Sequence, residues 1–321
     1  YECLAGLIHA QMRGAAGSAR TCAEFMEAVF GAGIWKHFMK PYNFKVWAHH
    51  LEMMNRRWMG ERVAMIDIDR AIRNVVLQQD DFGWGPNNRF KFPRSGGTGE
   101  FYRRIAASLG RRVALRKEVI AIDPVRKVVR FADGDSDRYD SLITTMPLDQ
   151  MLGAMEGDLP ASVFAARRHL LHSGGHMVGI GLRQPCPSTR SWMYFPESDC
   201  PFYRVTYLSN YSPNMTPDVA SHYSLLCETS YSRLKPEDAG TIVERTVQGL
   251  INTGLLRESD RADIVATWHY DADYSYPIPS LHRDEAIDRV IPFLEALSIY
   301  SRGRFGLWKY EVSNTDHSLM Q

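Results

Sequence analysis

Residues 192–212, WMYFPESDCPFYRVTYLSNYS, gather Trp192, Tyr194, Phe195, Phe202, Tyr203, Tyr207 and Tyr211 around one cation, Arg204. Rings offer flat faces to a base or sugar, phenols donate hydrogen bonds, and a guanidinium forks onto paired oxygens. The same composition also suits an antiparallel sheet with one wet face and a snorkelling arginine, since aromatics favour strands. The pattern recurs along the chain. Asn43–Trp47 with Arg62, Trp84–Asn87 and Arg302–Asn314 repeat it, and Tyr270, Tyr274 and Tyr276 add a fifth group. Arg62, Arg204 and Arg304 each stand close to glycine or aromatics, not on a charged helix face. Two arginines and several tyrosines suit a diphosphate that carries a sugar and a base. Paired guanidiniums balance its charge with a fixed geometry that lysines lack.

Other chemistries find less support. Gly96-Gly97-Thr98-Gly99 opens a helical pattern but lacks the G-x-G-x-x-G spacing and a suitable preceding strand, and there is no Walker A sequence. His169, His172 and His176 are spaced for one helix face, but Gly174-Gly175 would break that helix and no carboxylate joins them, so no metal site is expected. Ser232-x-x-Lys235 fits a penicillin-binding fragment whose companion motifs are missing. No Ser/His/Asp arrangement has supporting context.

The elements that must carry these residues change period along the chain. Residues 2–60 read as helices: Thr21-Cys22-Ala23-Glu24 is a capping box, Ile34–Met39 a second helix, and Leu51–Trp58 a third. Pro41–Trp47 is too aromatic for a linker, Gly60 reads as a hinge, and 67–78 reads as another helix. A Gly-rich loop at 93–99 opens a helix ending at Gly110. A β-meander follows, with strands Val113–Ile122, Val128–Phe131 and Tyr139–Thr145. Helix is expected over 148–172. Strands are expected at His176–Leu182, Trp192–Phe195, Tyr203–Leu208, His222–Thr229 and Ile264–Trp268. Further helices are expected from Pro236 to Gly254 and over Arg283–Leu297.

Composition excludes several classes. The chain has 321 residues and a formal charge of +1, so no strong field steers it to nucleic acid or acidic membranes. Five scattered cysteines without a C-x-x-C argue for a reducing compartment. No apolar run approaches a membrane span and no signal peptide is visible, so a cytoplasmic protein is expected and the sequons at Asn210 and Asn214 read as accidental. The sequence opens at Tyr1 inside a helical pattern and stops at Gln321 after an information-rich stretch, which reads as a fragment.

PYNFKVW (41–47), GERVA (60–64), WGPN (84–87), FPRSGGTG (92–99), YFPESDCPFYR (194–204), SNYSP (209–213), YPIP (276–279) and SRGRFGLWKYEVSNTDHS (301–318) resemble the eukaryotic-type, flavin-dependent UDP-galactopyranose mutases, in order through nearly the whole chain. The resemblance implies an α+β fragment of an FAD-linked α/β fold. Its parts would be a helical substrate domain (1–79), part of the FAD domain (80–147), an antiparallel-sheet substrate domain (148–265) and a return to the FAD domain (266–321). It implies interconversion of UDP-galactopyranose and UDP-galactofuranose by covalent catalysis through N5 of reduced FAD, with NAD(P)H as reductant and homo-oligomerisation left open.

The resemblance also implies roles for single residues. Arg62, in a mobile flap, and Arg204 would clamp the diphosphate. Tyr194, Tyr211, Tyr276 and Tyr310 would donate hydroxyls to it. Asn43 and Trp47 would lie around the uridine and phosphate. Arg304, Asn87 and Asn314 would sit near galactose and flavin. Gly96, Gly97 and Gly99 would approach FAD, with Val119 beside its adenosine end. The family's dinucleotide-binding βαβ unit, with its flavin-proximal glycines and histidine, and its last helix are absent from these residues. SGGH at 173–176 does not replace that unit, so the chain alone is expected to hold FAD poorly. Two other readings stay open: an amine-oxidase-like FAD oxidoreductase, and a non-catalytic nucleotide-sugar binder.

Overall fold

The capping box at Thr21–Glu24 is formed in the computed structural model, which describes residues 1–59, 66–79, 90–158, 160–312 and 315–321. Thr21 Oγ1 accepts the Glu24 N–H at 3.1 Å, and a Glu24 carboxylate oxygen accepts the Thr21 N–H at 3.2 Å. Among the described residues the helices run, in chain order, α1 (Glu2–Arg13), α2 (Cys22–Ile34), α3 (Lys40–Trp47), α4 (Ile68–Leu77), α5 (Gly99–Leu109), α6 (Leu148–Ala154), α7 (Ala161–Ala166), α8 (Ile242–Asn252), α9 (Arg283–Ala296), α10 (Gly303–Gly306) and α11 (Thr315–Leu319). The strands are β1 (Val119–Asp123), β2 (Val128–Phe131), β3 (Ser136–Arg138), β4 (Leu142–Thr144), β5 (His172–Leu182), β6 (Trp192–Tyr194), β7 (Arg204–Tyr207), β8 (Tyr223–Tyr231), β9 (Ile264–Pro277) and β10 (Ile299–Ser301). The fold is thus mixed α and β, as expected. No helix among the described residues is long and apolar enough to cross a membrane.

The described residues form two compact units. The first lies within Tyr1–Arg56, Gly60–Ser108 and Ser173–Ser275, and the second within Arg57–Met59, Leu109–His172 and Tyr276–Gln321. In the first, a five-stranded sheet has the order β6-β7-β8-β5-β9. Its period-2 alternation sorts the side chains. Val178, Ile180, Leu182, Val205, Tyr207, Leu225 and Cys227 pack with Ile242, Val247 and Leu250 of α8 as an apolar core. The register Tyr194↔Arg204, Arg204↔Glu228 and Met177↔Glu228 lines up the other face, where the polar residues are.

In the second unit β1-β2-β3 is an antiparallel meander, and β4 pairs in parallel with β10. Arg283, buried at 1 % exposure on α9, donates to both Glu311 oxygens at 2.9 and 2.8 Å and to Asp284 at 2.8 Å. Trp308 is fully buried, and its indole N–H donates to the Leu171 carbonyl at 2.9 Å.

Several expected elements are corrected. Leu51–Trp58 is not a helix. After one 3₁₀ turn at Leu51–Met53, the Met54 carbonyl accepts the Cys22 N–H and Asn55 bridges Thr21, so tertiary pairing overrides the local pattern. Ile34–Met39 instead closes through a π-helical turn at Trp35–Met39 into α3, which takes up the aromatic 41–47 stretch with Pro41 in its first turn. The third meander strand is Ser136–Arg138, because Leu142–Thr144 leaves to join β10. Helix over 148–172 is broken into α6, α7 and a short 3₁₀ turn at Arg167–His169. Pro236 does not start a helix: Asp238 caps a turn that delays α8 to Ile242. β9 runs nine residues beyond its expected end at Trp268. SGGH lies inside β5, where Gly174 makes room for Tyr231: a Cβ there would stand 2.2 Å from the ring.

Candidate functional site

In the first unit the site grows from β7. Arg204 is its first residue, and both neighbouring strands present a polar partner to it. Its Nε donates to Glu228 Oε1 at 2.8 Å and its Nη2 to Glu228 Oε2 at 2.7 Å, so the fork is already closed on a carboxylate. Glu228 is 5 % exposed on β8 and also accepts the Tyr203 hydroxyl at 2.7 Å. On the other side stands Tyr194, 45 % exposed, whose oxygen accepts the Trp192 indole N–H at 2.9 Å. A phenol that accepts one bond keeps its own O–H to give away.

Tyr211 completes this wall. Its ring lies 4.7 Å from Phe90, 5.2 Å from Phe92 and 6.3 Å from Trp192. Burial lifts its phenol above the ordinary value against the opposing pull of Arg204, so it stays protonated as a donor. Tyr42, on α3, meets Tyr194 edge-on at 5.2 Å and stacks on Phe38 at 5.0 Å. Asn43 and Trp47 share that helix but are buried at 7 % and 1 %, and the Asn43 amide donates to the Met39 carbonyl at 2.8 Å.

The second unit builds its own cluster. The Arg304 guanidinium lies 5.3 Å from the Tyr310 ring centre and 6.0 Å from that of Tyr276, and its Nε donates to the Val312 carbonyl at 3.2 Å. Tyr276 and Tyr310 meet at 5.5 Å, and Trp58 closes on Tyr310 edge-on at 5.4 Å. Three of the candidates, Arg304, Tyr276 and Tyr310, are therefore brought together, as are Arg204, Tyr194 and Tyr211 in the first unit. Arg62, Asn87 and Asn314 lie outside the described residues, as does Gly60.

The Gly-rich loop has the chemistry of a phosphate-bearing cofactor's cradle. Gly96 and Gly97 hold φ of +76° and +63°, and nothing lies within 4 Å of a Cβ built on Gly97. Gly99 then opens the eleven residues of α5. The backbone is open at Gly97, ahead of a helix N-terminus where a phosphate can approach, while Glu100 and Arg103 cover Gly96. The loop is tethered to the aromatic wall: Ser212 donates to the Arg94 carbonyl at 2.5 Å and Asn214 to the Ser95 hydroxyl at 2.8 Å. Val119 is half-buried at the start of β1 in the second unit.

The remaining candidates find structural work. His176 sits 3.1 Å from His269 and stacks on Tyr231 at 4.7 Å, while His169 packs against His282. Among the described residues no group of three or more His, Cys, Asp or Glu is placed to hold a metal. Ser232 donates to the Ala48 carbonyl, and Lys235 binds Glu237. Sequence reasoning missed Glu228, Phe90 and Phe92. The one available signal for Glu228 was a lone acid inside the apolar run LLCETSY.

Comparison with known proteins now bears on this arrangement. The family model described as flavin containing amine oxidoreductase matches residues 9–266. A crystal structure of reduced UDP-galactopyranose mutase is 38 % identical, with a TM-score of 0.94, over 99 % of this chain and 68 % of that one. A putative protoporphyrinogen oxidase from Exiguobacterium sp. 255-15 is 13 % identical at TM-score 0.63, over 94 % of this chain and 67 % of that one. The PF1083 protein from Pyrococcus furiosus is 13 % identical at TM-score 0.54, over 94 % and 73 %. The last two share the fold alone.

Proposed function

This chain belongs to the flavin-containing amine oxidoreductase family and, within it, to the UDP-galactopyranose mutases, and from that premise we propose that it interconverts UDP-galactopyranose and UDP-galactofuranose without net redox change. Reduced FAD, when bound, supplies the nucleophile for covalent catalysis at the anomeric carbon. The Gly96–Gly97 turn and the start of α5 would approach it, beside the family's dinucleotide-binding βαβ unit. NAD(P)H is the reductant this reading calls for.

The protein's own residues bind and orient. Arg204 offers its guanidinium to the leaving diphosphate, with Tyr194 beside it on the next strand as a hydroxyl donor. Tyr211, a phenol on the same wall, adds a second donor. Arg304, set against the Tyr276 and Tyr310 rings, would by the family resemblance serve the sugar side of the reaction. Arg62 would complete the diphosphate clamp.

Arg204 is the observation that carries this reading: an arginine on the polar face of a sheet, with an exposed phenol as its cross-strand neighbour. The test is anaerobic incubation of the dithionite-reduced flavoprotein with UDP-galactofuranose, followed by chromatography of the nucleotide sugars. Formation of UDP-galactopyranose over many turnovers per flavin supports the proposal. In a parallel aerobic assay with NAD(P)H, stoichiometric consumption of oxygen or NAD(P)H would support an amine-oxidase-like oxidoreductase, the reading that the broad family match favours. UDP binding without turnover would leave a nucleotide-sugar binder.

A further inference from the structure

Glu228 is the residue that the proposed chemistry leaves unexplained. A carboxylate beside a phosphate-binding arginine repels the ligand, and this one is almost fully buried, at 5 % exposure. Burying an acid costs free energy unless its oxygens are satisfied. Here each is. Oε1 accepts Arg204 Nε, and Oε2 accepts Arg204 Nη2 and the Tyr203 hydroxyl. The register gives the reason: Arg204 and Glu228 are directly opposed on antiparallel β7 and β8, and the Tyr203 N–H donates to the Glu228 carbonyl at 2.9 Å.

A long arginine on a strand has many rotamers, and an exposed one spends little time in any of them. The bidentate contact removes that freedom. Two bonds from one guanidinium to one carboxylate fix the plane in which its nitrogens point. Tyr203, itself 2 % exposed, locks the carboxylate in turn.

We propose that Glu228, held by Tyr203, is a positioning residue that orients Arg204 for the diphosphate, and that this outweighs its charge repulsion. The inference rests on the nucleotide-sugar reading. It separates two sign predictions. A positioning carboxylate strengthens phosphate binding, whereas a competing one weakens it.

The experiment is calorimetric titration of the purified flavoprotein with UDP and with uridine, comparing wild type with Glu228→Gln. Loss of a charge-assisted bidentate contact corresponds to a roughly ten-fold or greater fall in UDP affinity. Uridine, which has no phosphate, should bind equally to both. In turnover the loss should appear mainly in KM. Unchanged or tighter UDP binding overturns the assignment, and so does an equal loss for UDP and uridine, which marks a merely structural role. Should Glu228→Gln fail to fold, Tyr203→Phe reads the same UDP-to-uridine ratio, with a smaller fall expected and no change overturning the proposal. Failure of the wild-type protein to bind UDP removes the underlying reading, and this assignment with it.

Discussion

The Arg304 guanidinium lies 5.3 Å from the centre of the Tyr310 ring, a cation–π contact that leaves the charge in place while fixing where it sits. Such contacts contribute about 0.5–2 kcal/mol, depending on how dry the site is. Tyr310 is itself anchored, because its neighbour Glu311 is gripped by buried Arg283. The charge therefore stands on a rigid base. Arg304→Ala should lower kcat/KM at least ten-fold. Arg304→Lys, which keeps the charge but loses the planar stack, should recover only part of that loss. Equal activity in all three proteins by steady-state assay would remove Arg304 from the site.

The Arg204–Glu228 pair makes a separate prediction about stability. Arg204→Ala leaves a buried carboxylate without its cation, which costs about 3 kcal/mol. Arg204→Met combined with Glu228→Leu removes both charges and should restore most of the melting temperature while leaving UDP binding absent. A double variant that still binds UDP like wild type would show that the diphosphate is held elsewhere.

Gly97 tests the cofactor cradle. Valine at φ +63° is strained by about 1–2 kcal/mol and would fill the open space above the loop. Gly134, in the meander turn, has φ +91° and equally open surroundings, so Gly134→Val carries similar strain away from the loop. The ratio of flavin to protein absorbance should fall in Gly97→Val and hold in Gly134→Val. Equal flavin content in the two contradicts the cradle.

Asp260 supplies a pH dependence. The Arg257 side chain, and then its N–H, hold this carboxyl at about 2, below its ordinary 3.8. A carboxyl depressed on folding contributes stability that is complete above the unfolded value and is lost as pH falls through the folded one. The melting difference between wild type and Asp260→Asn should therefore be steady from pH 7 to about 5 and close toward pH 2. A difference that persists to pH 2 would place the contribution elsewhere.

What the sequence could reveal depended on range. The Thr21–Glu24 box and α9 are local patterns, and both formed where expected. Leu51–Trp58 has a helical pattern too, but its backbone is claimed by Thr21 and Cys22, thirty residues upstream and invisible to a local reading. The aromatic–arginine clusters were legible as clusters because their members lie close in sequence. Glu228 was not, since its link to Arg204 exists only once β7 and β8 pair. Asn43 and Trp47, given ligand roles by the family resemblance, are buried on α3, and no local pattern announced that burial. Composition alone cannot tell which side of a short helix will be covered.

The account stands most directly on a comparison of reduced wild-type protein with Arg204→Ala, each supplied with UDP-galactofuranose without oxygen. It predicts rapid conversion to UDP-galactopyranose by the first, with no reductant consumed after priming, and a rate at least a hundred-fold lower for the second. Equal rates, or product formed only as reductant is spent, would contradict it.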